Sequence, residues 1–213
     1  MKLLKLGLFA VLMSFFASCS NDSENVTIPD SRGDEFNNPG LAYFEAVTAP
    51  EVWVQFKTGE DMLKALNLPK DILNKLTTEQ LVECCKQYPL WINRMAYNDP
   101  GKGTLYVVDN FNGFSALRNR ERHAEYLLDA YELLTRSLTG GINDSKEEES
   151  VEYRFNKANF DYMFAVEYYP EVLKGENGLR LRSIIADFMS SDEEYAKDEL
   201  LQNLLKLIDK YSK

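Results

Sequence analysis

Apolar side chains recur with a helical period along most of this chain, most clearly in its second half. Across residues 121–138, Leu127, Tyr131, Leu134 and Leu138 follow one another at steps of four, three and four, which sets them on one face of an α-helix. Near the end of the chain Leu201, Leu204, Leu205, Ile208 and Tyr211 form a second such stripe. Residues 151–169 are rich in aromatics: Tyr153, Phe155, Phe160, Tyr162, Phe164, Tyr168 and Tyr169. Phe160, Phe164 and Tyr168 share a face while Phe155, Tyr162 and Tyr169 point elsewhere, the pattern of a helix surrounded by core. Residues 179–189 predict another helix, and Ser191 with Asp192 and Glu194 a cap for the last one, with Glu193 four residues before Lys197 as support.

Earlier elements are short and set by their punctuation. Thr58 opens a helix that Leu68 and Pro69 end, and residues 71–76 add a turn or two. Thr77, with Gln80 three positions on, makes a capping box for a helix through Leu81, Val82, Cys84, Cys85 and Tyr88. Pro89 closes that helix and can open the next, over residues 90–98. Residues 99–103 predict a turn and 104–111 a helix, although 105–108 also suit a strand; Asn112 and Gly113 interrupt before 114–120 resume. Ahead of these, residues 52–56 fit a short strand or an extended entry piece, and Tyr43, Phe44, Trp53 and Phe56 are expected to cap the core. Gly140 and Gly141 end the long helix, residues 142–150 form a charged loop, and residues 175–178 a turn. Tyr-Pro closes both 81–89 and 162–170, a weak internal echo. The fold expected is all-α: an irregular array of paired antiparallel helices, with a HEAT-like α-α superhelix as the form it could take.

The first 40 residues break this pattern. Lys2 and Lys5 precede an apolar stretch, residues 6–16, interrupted only by Gly7 and Ser14; Ala17, Ser18 and Cys19 follow. Charge, then apolar run, then small residues is the order of a secretory signal. The run is too short for a bilayer core, which needs about 20 apolar residues. Phe16-Ala17-Ser18-Cys19 resembles the lipobox of bacterial lipoproteins, with Phe where Leu is usual. That resemblance implies cleavage before Cys19 and acylation of its thiol, and more than one acyl chain is what stable anchoring requires. Residues 20–40 are polar, contain Pro29 and Pro39, and cannot bury enough surface to offset the entropy of ordering. The expected organisation is a signal peptide at 1–18, lipidated Cys19 and a flexible tether at 19–40, and one helical domain at 41–213. The acidic run after Cys19, with Asp22 and Glu24, resembles that of surface-exposed lipoproteins of the Bacteroidetes. It implies the outer membrane and its outer face, with the periplasmic face as the alternative.

Charge narrows the partners. The chain has 34 acidic and 24 basic side chains, a formal charge of −10, and loses Lys2 and Lys5 with the leader. With no basic stripe, it is a poor match for nucleic acid, whose affinity comes mainly from phosphate neutralisation. An anionic membrane face would repel it, so the lipid carries the anchoring. Beyond Cys19 only Cys84 and Cys85 remain. On a helix they point about 100° apart. They are expected as one buried thiol and one partly exposed thiol, not as a bridge.

No catalytic or metal-binding constellation stands out, so no cofactor or metal is expected. His123 is the sole histidine and is expected as a solvated residue in a helix first turn. Glu147, Glu148 and Glu149 fall in the predicted loop; Asp192, Glu193 and Glu194 sit where a helix N-terminus favours negative charge. Gly101, Lys102 and Gly103 lack the full spacing of a phosphate loop.

Between Thr77 and Arg122, the run Thr78-Glu79-x-Leu81-Val82 with Cys85, Tyr88 and Pro89, then Asn110-Phe111-Asn112-Gly113-Phe114 and Leu117, is similar to helical lipoproteins of unknown function from gut Bacteroidetes. The resemblance covers about a quarter of the chain, and its motifs are a cap, a helix stop and a turn. It implies a compartment and an all-helical domain, and it brings no activity. The expectation is a non-enzymatic binding module on the cell envelope, held by its lipid, with a protein or glycan partner and Phe160, Phe164 and Tyr168 as candidate contact aromatics. A hydrolase of envelope glycans or peptides using paired carboxylates, and a structural subunit of an outer-membrane complex, are the alternatives.

Overall fold

A computed structural model describes residues 38–139 and 147–212. Cys19 and the rest of residues 1–37 therefore lie outside the described residues, as do Gly140, Gly141 and most of the expected charged loop. The described residues form an all-α fold with no strand.

Helix α1 (Pro39–Thr48) starts earlier than the tether boundary expected at residue 40. Asn38 caps it by accepting from the Gly40 and Leu41 amides, while its own amide donates to the Gln80 carbonyl at 2.8 Å. Helix α2 (Pro50–Trp53) replaces the expected extended piece, because Pro50 pre-sets the first helical turn. Helices α3 (Gly59–Ala65), α4 (Lys70–Lys75) and α5 (Thr78–Lys86) follow the sequence pattern. Full capping boxes, Thr58 with Asp61 and Thr77 with Gln80, begin α3 and α5.

A 3-10 segment, Pro89–Ala96, leads into α6 (Pro100–Asn110). Residues 100–103, expected as a turn, are the first turn of α6: Asp99 caps the Gly101 and Lys102 amides and Pro100 occupies the position where no donor is missed. Then come α7 (Asn112–Arg118) and α8 (His123–Thr139), whose Leu127, Tyr131 and Leu134 are buried as the spacing predicts. Helix α9 (Glu147–Ala165) begins inside the expected loop, so Glu147, Glu148 and Glu149 belong to a helix.

Helix α9 stops four residues short of Tyr169. The Tyr168 amide donates to the Met163 carbonyl and the Glu167 amide to the Phe164 carbonyl, a Schellman ending with Glu167 at φ 56°. A second 3-10 turn, Pro170–Leu173, follows the same Tyr-Pro step as Tyr88-Pro89. Residues 175–178, expected as a turn, open α10 (Gly175–Ser190). Asp192 caps only the short α11 (Glu193–Ala196), and Asp198 caps the last helix, α12 (Glu199–Tyr211).

Helix α9 organises the packing. It contacts α5, α6, α8 and α12, elements from both ends of the described chain. Its Phe160, Met163 and Phe164 are fully buried, and burying each such side chain stabilises by roughly 1.5–3 kcal/mol. Aromatic rings continue this core: Tyr131 meets Phe160 and Phe164, and Phe114 links Trp91, Phe111 and Tyr88 to Tyr168.

Candidate functional site

Where α6 hands over to α7, the chain turns at Phe111 and leaves a groove facing the end of α9. The groove has a volume of about 790 Å³. Leu105, Val108 and Asp109 from α6, Ser115 and Arg118 from α7, and residues 166–168 form its walls, with Asn67 at one end.

Local sequence dictates each wall. Asn112 is the pin: its backbone amide donates to Asn67 Oδ1 at 2.7 Å, and its side chain accepts from the Leu68 amide and donates to the Leu68 carbonyl. The Asn-Gly step expected merely to interrupt a helix thus clamps the α3–α4 connection onto α7. Arg118 donates to the Tyr168 carbonyl at 2.8 Å, and its guanidinium lies 3.9 Å from the centre of the Tyr168 ring. That stacking holds an exposed cation flat against the groove wall. Burial, which outweighs the nearby Arg118 charge, raises the pKa of the Tyr168 phenol above its ordinary value.

Glu167, next to Tyr168, lines the same groove. A left-handed residue at a helix end is usually glycine, and a side chain there costs roughly 1–2 kcal/mol. Here the strained residue sits in a groove, the setting in which an outlier suggests function. Its carboxylate accepts from the Tyr211 hydroxyl and lies 3.6 Å from Lys210 Nζ. The hydrogen bond to Glu167 raises the Tyr211 pKa. Asp109 lines the same groove, is exposed, and has no ion-pair partner among the described residues.

A second depression, of about 570 Å³, has Leu41, Val82, Ala130 and Leu133 as its apolar side and Glu79, Glu83 and Asp129 at its rim. Its acids are mostly engaged: Glu83 with Lys86, and Asp129 with Arg180. It therefore offers less free polar chemistry than the first.

Several expected site residues sit elsewhere. Phe160 and Phe164 are fully enclosed by core and offer no surface to a partner, which corrects their reading as contact aromatics. The cause is that α9 is covered on several sides. Tyr168, 8% exposed, is the one of the three that borders a groove. His123 is buried, contrary to the expectation of a solvated side chain. Its ring packs 5.7 Å from Tyr169, Nδ1 lies 2.9 Å from the Arg120 carbonyl, and Nε2 is 3.5 Å from Glu171. Cys84 and Cys85 are both fully buried, because α5 faces α1 and α7 as well as α9. Burial pushes the Cys84 thiol up to about 12.

The periodic pattern did not single out the buried polar residues Arg94, Lys157, Asn159 and Asp161. A signal existed for two of them. Lys157 and Asp161 are four apart and extend the stripe of Phe164 and Tyr168, so charges lie on a face otherwise aromatic.

Among the described residues no group of three or more His, Cys, Asp or Glu side chains could hold a metal ion, and no helix is long and apolar enough to cross a membrane. No family model, curated protein or solved structure matches the chain.

Proposed function

We propose that this chain is a lipoprotein of the cell envelope, anchored to the outer membrane through Cys19, whose helical domain is a non-enzymatic binding module for a protein or glycan. The anchor rests on the leader and lipobox-like residues 1–19. The binding role rests chiefly on the α6–α7 groove. It brings an exposed guanidinium stacked on Tyr168 into one groove with Asp109 and Glu167, and with Leu105 and Val166 as apolar lining. Such mixed chemistry suits a polar chain, peptide or sugar, in an open groove better than a small apolar ligand in an enclosed pocket. The buried Phe160 and Phe164 withdraw the aromatic platform that first suggested this role, so the groove carries it alone.

The hydrolase alternative draws on one observation: Asp109 and Glu167 border the same groove in different surroundings, one free and exposed, the other half-buried and paired.

A glycan and peptide array probed with wild-type and Ser115→Trp protein tests the binding role. Specific retention that the bulky Trp abolishes at unchanged melting temperature supports it; retention indifferent to the Trp, or none at all, refutes it. Turnover of an array member that Asp109→Asn removes would favour the hydrolase. Mass spectrometry of the membrane fraction checks the anchor, which requires acyl mass on the peptide beginning at Cys19.

A further inference from the structure

A second polar site lies along α9, separate from the groove. Arg94, in the 3-10 segment before α6, is 9% exposed, and no carboxylate among the described residues pairs with it. Its Nε donates to Asn159 Oδ1 at 3.2 Å, and its guanidinium lies 4.5 Å from the centre of the Tyr162 ring. The terminal nitrogens of Arg94 have no hydrogen-bond partner among the described residues, and they are not sealed from solvent. Asn159 is 1% exposed, and its Nδ2 is buried without a partner among the described residues. Burial lowers the Arg94 pKa more than its surroundings raise it, as expected where no counter-charge compensates.

The backbone leaves this arrangement little freedom. Gly103 of α6 packs against the Arg94 carbonyl so closely that a Cβ there would come within 2.3 Å of its oxygen. The result is a fixed guanidinium, held through Nε by Asn159, whose terminal nitrogens reach solvent and have no acceptor among the described residues. A planar fork of this kind matches a carboxylate, which can accept two parallel hydrogen bonds from a guanidinium. We infer that Arg94, Asn159 and Tyr162 form a binding site for a carboxylate group, contributed by a ligand and not by this chain.

The reading stands whether or not the α6–α7 groove binds anything. Two kinds of ligand carry the required group, an acidic sugar and the terminus of a peptide. Melting temperature is measured for the full chain at fixed ionic strength, with sodium chloride replaced stepwise by sodium acetate, sodium glucuronate or sodium N-acetylglycinate. The expected result is a saturable rise of about 3–6 °C with at least one carboxylate, the size produced by ligand near 10 times its Kd. A larger effect of glucuronate points to sugar acids, and of N-acetylglycinate to peptide termini.

Arg94→Gln should abolish the carboxylate-dependent rise. Asn159→Asp supplies the missing counter-charge internally, so it should melt higher than wild type without ligand and no longer respond to carboxylate. The second variant decides the matter if Arg94→Gln fails to fold. No wild-type rise beyond chloride, or a rise that survives Asn159→Asp, overturns the assignment.

Discussion

Lys157 and Asp161 make a buried ion pair inside the aromatic core, and removing the lysine should unfold a large part of the stability margin. Lys157 Nζ lies 2.7 Å from Asp161 Oδ2, each side chain is 6% exposed, and the Tyr131 hydroxyl donates to the other carboxylate oxygen at 2.6 Å. Lys157 also rests 4.3 Å from the centre of the Phe188 ring. Lys157→Met keeps the apolar stem but strands the carboxylate. Breaking a buried pair in this way costs about 3–5 kcal/mol, because the remaining charge is neither solvated nor opposed. Asp161 is already raised in pKa by desolvation, with Lys157 and Tyr131 pulling the other way. A raised carboxyl pKa in the folded state means that the native protein holds this proton more tightly than the unfolded chain. The associated stability is full below the unfolded value of about 3.9 and is lost as pH rises through the folded value. Removing Lys157 takes away the largest opposing influence, widening that window upward. The variant's deficit should therefore be greatest at pH 7 and shrink on acidification to pH 5. Lys157→Met combined with Asp161→Asn should recover most of the loss, since no charge remains and the Asn carbonyl can still accept from Tyr131. Urea unfolding at both pH values measures this. A single-variant cost below about 1 kcal/mol, unchanged by pH, would mean that the pair behaves as a surface salt bridge and would refute the reasoning.

Three further outcomes are expected. Cys84 and Cys85 should resist iodoacetamide at pH 8 in the native protein and react only in denaturant, since burial raises both thiols and withholds the reactive thiolate; mass spectrometry counts the adducts. Gly178→Ala should lose about 1–3 kcal/mol in urea unfolding, because its Cβ would lie 2.4 Å from the Leu173 carbonyl oxygen, a backbone atom that cannot step aside. Phe164→Ala should cost about 3–5 kcal/mol without altering binding at the groove, the opposite of what a contact aromatic would do.

The elements that repetition and caps define were legible in the sequence. Thr77 and Gln80 form the expected box, and the stripe of Leu127, Tyr131 and Leu134 faces the core. The structure departs from the sequence pattern where a proline or glycine reads as a stop. Pro100, Gly101 and Gly103, and likewise Gly175 and Gly178, lie inside first turns, because the first residues of a helix need no amide donor and tolerate residues that its interior does not. Composition alone cannot separate a loop from such a turn; the side chain just before it, Asp99 in one case, carries the information.

The sites were less legible for a different reason. Periodicity reports which face of a helix is apolar, and it treats every polar residue as solvent-facing. Arg94, Asn159, Lys157 and Asp161 violate that assumption, and so does His123. Their burial arises from contacts between elements far apart in sequence, such as Arg94 with Asn159, 65 residues on. The groove has the same origin: Asn67, Arg118 and Glu167 meet only because Asn112 clamps one loop and a left-handed Glu167 turns another. The same cause lets a buried aromatic stripe resemble a binding platform. On a helix packed on several sides, an aromatic stripe marks how much core must be filled, and the polar residues interleaved with it mark where that core is asked to hold charge. In this chain the more informative mark is therefore the buried charge without an ion partner among the described residues, for which Arg94 is the clearest case.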